Sequence, residues 1–157
     1  MVLAIAAEMG WEIRQLDVRT AFLYADIEEE VFVAEPPGFQ TNDNQKGVLV
    51  MKVGKSLCGL ARIRGNWFHI IDPVLISVGF VPPISGTCIY IYNHNGVIII
   101  LTLYVDDLLV IGGDNQLVEK IRSKLMEKFK MTDIGDVSLV LGMQITRDRG
   151  KKTLTIS

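Results

Sequence analysis

A chain of 157 residues with 49% hydrophobic and 22% charged side chains is long enough for a real core and too apolar to be disordered. Sixteen basic against eighteen acidic residues, a net charge of −2, lend no support to a nucleic-acid partner, which favours a basic chain. No apolar run is long enough to cross a bilayer as a helix. The two cysteines, Cys58 and Cys88, lack metal-ligand spacing and point to a reducing compartment. A mean hydropathy of +0.31 asks for strands buried on both faces, or for a surface that a neighbour covers.

In chain order, Val2 to Met9 reads as a short helix ended by Gly10. Met1 to Ala7 lacks a basic flank and meets Glu8 at once, so it reads as a helix and not as a signal peptide. Trp11 to Val18 reads as a strand ending at Asp17-Val18. Arg19 to Leu23 is a short helical or turn segment. Ile27 to Val33 is a strand that the acidic run Glu28-Glu29-Glu30 leads into, a solvated edge. Pro36-Pro37-Gly38 forces a loop, Asn42 to Gly47 is turn-rich, and Val48 to Val53 is another strand. Ser56 to Gly79 has helical apolar spacing through Leu57, Leu60, Ile63, Trp67, Ile70, Ile71 and Leu75. Gly65 weakens its middle. Asp72-Pro73 predicts a kink, or two helices meeting there, because an interior proline costs about 3 kcal/mol and Asp-Pro suits a helix start.

Pro82-Pro83 makes a second loop, and Thr87 to Tyr92 a strand. Val97 through Ile111 is the most apolar run, opening after Asn93-His94-Asn95-Gly96 and closing at Gly112-Gly113. It predicts two buried strands joined by a tight turn at Asp106-Asp107. Asp114 caps an amphipathic helix over Asn115 to Lys130, with Leu117, Ile121, Leu125 and Phe129 as its stripe and Glu119, Lys120, Lys124 and Lys128 facing water. Strands at Leu139–Arg147 and Thr153–Ser157 follow, with a turn at Asp148-Arg149-Gly150. This order suits an α+β sandwich with helices on one face of an antiparallel sheet, a relative of the split βαβ arrangement.

Adjacent carboxylates inside an apolar run are costly unless they find a cation, strong donors or exposure. An ordinary polar turn would also place Asp there. Asp17 is a third carboxylate at a strand end, and in a split βαβ sheet the first strand can lie beside the central hairpin. Three carboxylates without histidine favour Mg²⁺ or Mn²⁺ over zinc. Two such ions about 3.5–4 Å apart suit in-line phosphoryl transfer.

Gln15-Leu16-Asp17-Val18-Arg19-Thr20-Ala21-Phe22-Leu23, Glu28-Glu29-Glu30-Val31 and Pro36-Pro37-Gly38-Phe39 together resemble the reverse transcriptase of copia-type LTR retrotransposons. So do Ser56-Leu57-Cys58-Gly59-Leu60 with Trp67, the Tyr104-Val105-Asp106-Asp107 box, and Leu141-Gly142 near the end. The ordered set spans almost the whole chain. The resemblance implies a polymerase palm with part of the fingers, using Mg²⁺ or Mn²⁺ to transfer nucleotides from dNTP to a primer. Its partners would be an RNA or DNA template-primer and the other segments of a polyprotein, in an intracellular setting. Asp17, Asp106 and Asp107 correspond to the catalytic, metal-binding carboxylates, and Val18 lends a backbone carbonyl to the metal. Phe22, Gly59 and Tyr104 fall in nucleotide-binding positions, with core packing as the alternative for Phe22. Leu141, Gly142 and Met143 resemble the hairpin that holds the primer, where a plain buried strand is the alternative.

The chain departs from the family pattern at Ala61-Arg62-Ile63-Arg64-Gly65, Pro73 and Gly86. The resemblance also implies that finger strands, thumb and RNase H lie outside this single partial domain of residues 1–157. The isolated chain is therefore expected to extend primers poorly. The competing readings are a non-catalytic remnant of a polyprotein and another two-metal enzyme such as a nuclease.

Overall fold

The structure, a computed structural model, describes residues 1–24, 26–38, 50–55, 63–82 and 88–157, with backbone alone for residues 22, 26–29 and 63–66. In chain order the elements are α1 (Val2–Met9), β1 (Glu12–Val18), a 3₁₀ turn (Ala21–Tyr24), β2 (Asp26–Ala34), β3 (Val50–Lys55) and α2 (Ile63–Val78). They continue with β4 (Ile89–His94), β5 (Val97–Tyr104), β6 (Asp107–Gly112), α3 (Asn115–Lys128), β7 (Met131–Asp136), β8 (Leu139–Val140), β9 (Met143–Asp148) and β10 (Thr153–Ile156). Two compact units result, Met1–Ala21 with Ile71–Ser157, and Phe22–Ile70.

The larger unit is α+β. Its main sheet is antiparallel in the order β4-β5-β6-β1-β7. Strand alternation assigns the two faces. On one, Leu16 stands opposite Leu108, and Leu108 opposite Leu103; all three are fully buried. Helix α3 covers this face through Val118, Ile121 and Leu125. The ideal Cβ of Gly112 would lie 3.3 Å from Val118, so the helix packs closely there. Tyr90 opens onto the same face, and its hydroxyl donates to Asp72 of α2. Burial, with the Asp72 carboxylate beside it, pushes the Tyr90 phenol above its usual range.

The opposite face carries Ile13, Leu109 and Ile111, which cluster with Ala6 of α1, Val137 and Ile145. Helix α1 ends at Gly10 in the left-handed conformation (φ 70°), as its sequence predicts. The helices are thus not all on one face as expected. The apolar half of the second face needs a cover, which α1 and the small sheet β10-β9-β8 supply.

Four further expectations change. Pro73 lies inside one continuous helix, α2. Ile71 and Leu75, both fully buried, hold the helix on either side of it, and Asp72 serves Tyr90 instead of capping a new start. Leu139 to Arg147 is two strands, because Leu141 (φ 52°) and Gly142 (φ 79°) make a turn. The α3 stripe uses Val118 where Leu117 was expected. Glu119 does not simply face water but pairs with Arg122 at 2.6 Å.

In the smaller unit β2 and β3 form an antiparallel ribbon, with Val31 opposite Val53 and a Glu30–Lys52 ion pair. The rings of Tyr24 and Trp67 meet with centroids 5.8 Å apart. Asn42 to Gly47, Val48, Pro83, Gly86 and Thr87 lie outside the described residues, as do Ser56 to Arg62.

The Leu16–Leu108–Leu103 row fixes the β1–β6–β5 register. Leu108→Ala is expected to cost about 2–5 kcal/mol, the range for a buried leucine truncated in a close-packed core. Denaturant unfolding measures this, and an unchanged midpoint would contradict the packing.

Candidate active site at the hairpin tip

The register that buries the three leucines puts the next residues on the other face. Asp17 stands opposite Asp107, and Asp107 opposite Tyr104. Asp17 and Asp107 are half-buried and Tyr104 is 51% exposed. The β5–β6 hairpin closes with a two-residue turn, Val105-Asp106, and Asp106 is exposed. The Val18 amide donates to the Asp106 carbonyl at 2.8 Å, which ties the end of β1 to the turn. Asp17, Val18, Tyr104, Asp106 and Asp107 are therefore gathered at one edge of the sheet, where β1 and the β5–β6 hairpin end.

Val105 has φ 55°, a left-handed conformation that a β-branched residue resists. Strain of this kind is of order 1–3 kcal/mol and lasts only where the surroundings impose it. Here the ladder on one side and the Val18 amide on the other impose it.

Burial is the main cause that raises the Asp107 carboxyl above the usual aspartate range, and the charges of Asp106 and Asp17 raise it further. Gln15 opposes this, donating from Nε2 to Asp107 Oδ1 at 3.3 Å. Nearby, Arg19 Nε donates to Thr132 Oγ1 at 3.1 Å, and Thr132 stands opposite Asp17 on β7. The Arg19 side chain is thereby tethered to β7. Neither Gln15 nor Arg19 was singled out from sequence. The signal for Gln15 was its place two residues before Asp17, on the same face of β1.

The remaining predicted residues are placed as follows. Leu141, Gly142 and Met143 form the β8–β9 turn and the start of β9, with Leu141 49% and Met143 40% exposed. They are a hairpin tip, not a plain buried strand. The backbone of Phe22 lies in the 3₁₀ turn, and its side chain is outside the described residues, as is Gly59. Among the described residues, no three His, Cys, Asp or Glu side chains already form a metal cage.

A carboxyl raised in the folded state is ionised at a cost to the fold. Stability attributable to Asp107 is greatest below the unfolded value, falls as pH rises toward the raised folded value, and stays lower above it. Asp107→Asn is expected to raise the unfolding temperature at pH 7 and to lose this decline. Thermal unfolding between pH 3 and pH 8 reads both, and a variant less stable at pH 7 would contradict the arrangement.

Comparison with known proteins gives the family. The reverse transcriptase (RNA-dependent DNA polymerase) family matches residues 1–157. A retrovirus-related Pol polyprotein from transposon TNT 1-94 of Nicotiana tabacum is 37% identical over 99% of this chain, and that from transposon RE2 of Arabidopsis thaliana is 33% identical over 94%. A truncated transposon Ty1-A Gag-Pol polyprotein of Saccharomyces cerevisiae is 29% identical over 95% of the chain. The chain spans 12% of the tobacco polyprotein, 10% of the Arabidopsis one and 12% of the yeast one. No solved structure matches it. On the full-length family match and these relatives, the chain belongs to the reverse transcriptase (RNA-dependent DNA polymerase) family, among the copia-type retrotransposon sequences.

Proposed function

We propose that the chain is the palm segment, with part of the fingers, of an RNA-directed DNA polymerase that adds nucleotides from dNTP to a primer 3′-hydroxyl. The observation that carries this reading is the pairing of Asp17 with Asp107, with the Val18 amide on the Asp106 carbonyl. The order β5-β6-β1-β7 with intervening α2 and α3 supports a split βαβ palm.

The donor set fits a hard divalent cation. Its side-chain donors are carboxylate oxygens only, and a cation relieves the charge repulsion that adds to burial in raising Asp107. Asp17, Asp106 and Asp107 would hold Mg²⁺ or Mn²⁺, with the Val18 carbonyl as a further oxygen. No cage is preformed among the described residues, so these carboxyl groups would have to converge on an ion to hold it. When bound, such ions activate an attacking hydroxyl and stabilise a leaving pyrophosphate. The chain's own work is to hold these carboxylates on a fixed strand edge, with the exposed Tyr104 ring beside them, where template-primer and dNTP would meet.

The motifs assign Phe22 and Gly59 to the nucleotide and Leu141, Gly142 and Met143 to the primer. The relatives are polyproteins, so their other segments are the protein partners this reading implies, in an intracellular setting. Exposed Phe32 and Met51 on the ribbon, and Leu139, Leu141 and Ile156 in the larger unit, suit contact with such neighbours.

The test replaces the matching segment of the tobacco polyprotein with residues 1–157. Extension of oligo-dT on poly-rA with dTTP and Mn²⁺ is expected to proceed, and Asp106→Asn to slow it by about 10²-fold or more, the scale of losing one electrostatic stabiliser. Extension at the parent rate in Asp106→Asn would overturn the assignment.

A further inference from the structure

Gln15 is the buried polar residue among the described ones, at 4% exposure. It lies on β1 between Ile13 and Asp17, on their face, opposite Leu109 of β6 and Gly135 of β7. Its neighbour Ile13 shows that this face of β1 takes an apolar side chain readily. A leucine or methionine would satisfy the packing at position 15 without burying an amide, which costs free energy unless hydrogen-bonded.

The amide is only half satisfied. Nε2 donates to Asp107 Oδ1 at 3.3 Å, while Oε1 is buried with no hydrogen-bond partner. These facts have one cause. An ionised carboxylate can only accept, so the NH₂ end must face Asp107, and the oxygen is then turned away into a place without a donor. The orphaned oxygen is the consequence of holding Asp107.

The choice of a neutral donor also matters. A lysine or arginine here would order the carboxylate and cancel its charge, competing with any cation. An amide orders one oxygen and leaves the charge and the second oxygen in place. Its own movement is restricted by burial, unlike that of an exposed side chain.

We infer that Gln15 is a positioning residue for Asp107, fixing one carboxylate oxygen through its buried amide so that the other stays available to a divalent cation. This rests on the metal-site reading above for the cation, and on the geometry alone for the hold on Asp107.

The experiment uses the whole chain and Mn²⁺ alone as the probe. Gln15→Met keeps the apolar stem and removes the amide. It is expected to unfold at or above the parent temperature, yet to bind Mn²⁺ about tenfold more weakly, the scale on which outer partners of metal ligands act. In an Asp107→Asn background it is expected to cause no further loss. The side-chain NH₂ signal of Gln15 in ¹⁵N-labelled protein is expected to exchange slowly and to shift in Asp107→Asn but not in Asp148→Asn. Unchanged Mn²⁺ affinity in Gln15→Met, or an additional loss in the double variant, overturns the inference. If the parent binds no Mn²⁺, the metal reading fails and the NH₂ signal alone decides the hold on Asp107. Slow exchange with the Asp107-dependent shift then upholds it, and exchange at the rate of a free amide ends it.

Discussion

The register between β1 and β6 is the constraint on which the rest depends. A strand alternates its side chains, so a slip of one residue would exchange the faces of every residue on it. Leu16 and Leu108 meet on the buried face, and this pairing sets Asp17 against Asp107 on the other. A slip would put Asp17 into the core and Leu16 into the carboxylate row. The apolar core is thus what aligns the polar edge. The Val18–Asp106 backbone bond adds a second tie, from the strand end to the turn.

The same face of the sheet changes character along its length. Ile13 and Ile111 lie under α1, Val137 and Ile145. Gln15 and Leu109 come next, buried but with a polar head. Asp17, Asp107 and Tyr104 follow at the open edge. This gradient lets three carboxylates sit near one another without standing in the core. The strain at Val105 and the raised Asp107 carboxyl are local costs carried by the leucine row beneath. That division, with stability on one face and reactive groups on the other, is the usual way a scaffold supports a strained site.

Much of this was legible in the residues. The Val97–Ile111 run announced the central hairpin through its β-branched content, and the Asn95-Gly96 turn has both residues at positive φ (52° and 79°). Asp114 caps α3, accepting from the Leu117 amide at 3.0 Å. Strand β7 was not legible: Met131-Thr-Asp-Ile-Gly-Asp has two acids and a glycine and little alternation. It is a strand because β1 offers it an edge, with a bulge between Gln15 and Leu16 taking up the mismatch. The continuity of α2 through Pro73 was likewise decided by tertiary burial over local propensity. At the site, the three aspartates were legible because charge inside an apolar run is costly. Gln15 was not, because an amide at a strand position carries no such warning until its burial is known.

Under the proposed function, this register gathers Asp17, Asp106 and Asp107 into one cation-binding edge. Paramagnetic broadening of backbone amide signals during a Mn²⁺ titration reads that edge residue by residue. Asp17, Val18 and Val105 through Leu108 are expected to broaden first and together, while the Asn95-Gly96 turn at the far end of β5 stays sharp. Broadening of Asp106 and Asp107 that leaves Asp17 and Val18 untouched would contradict it.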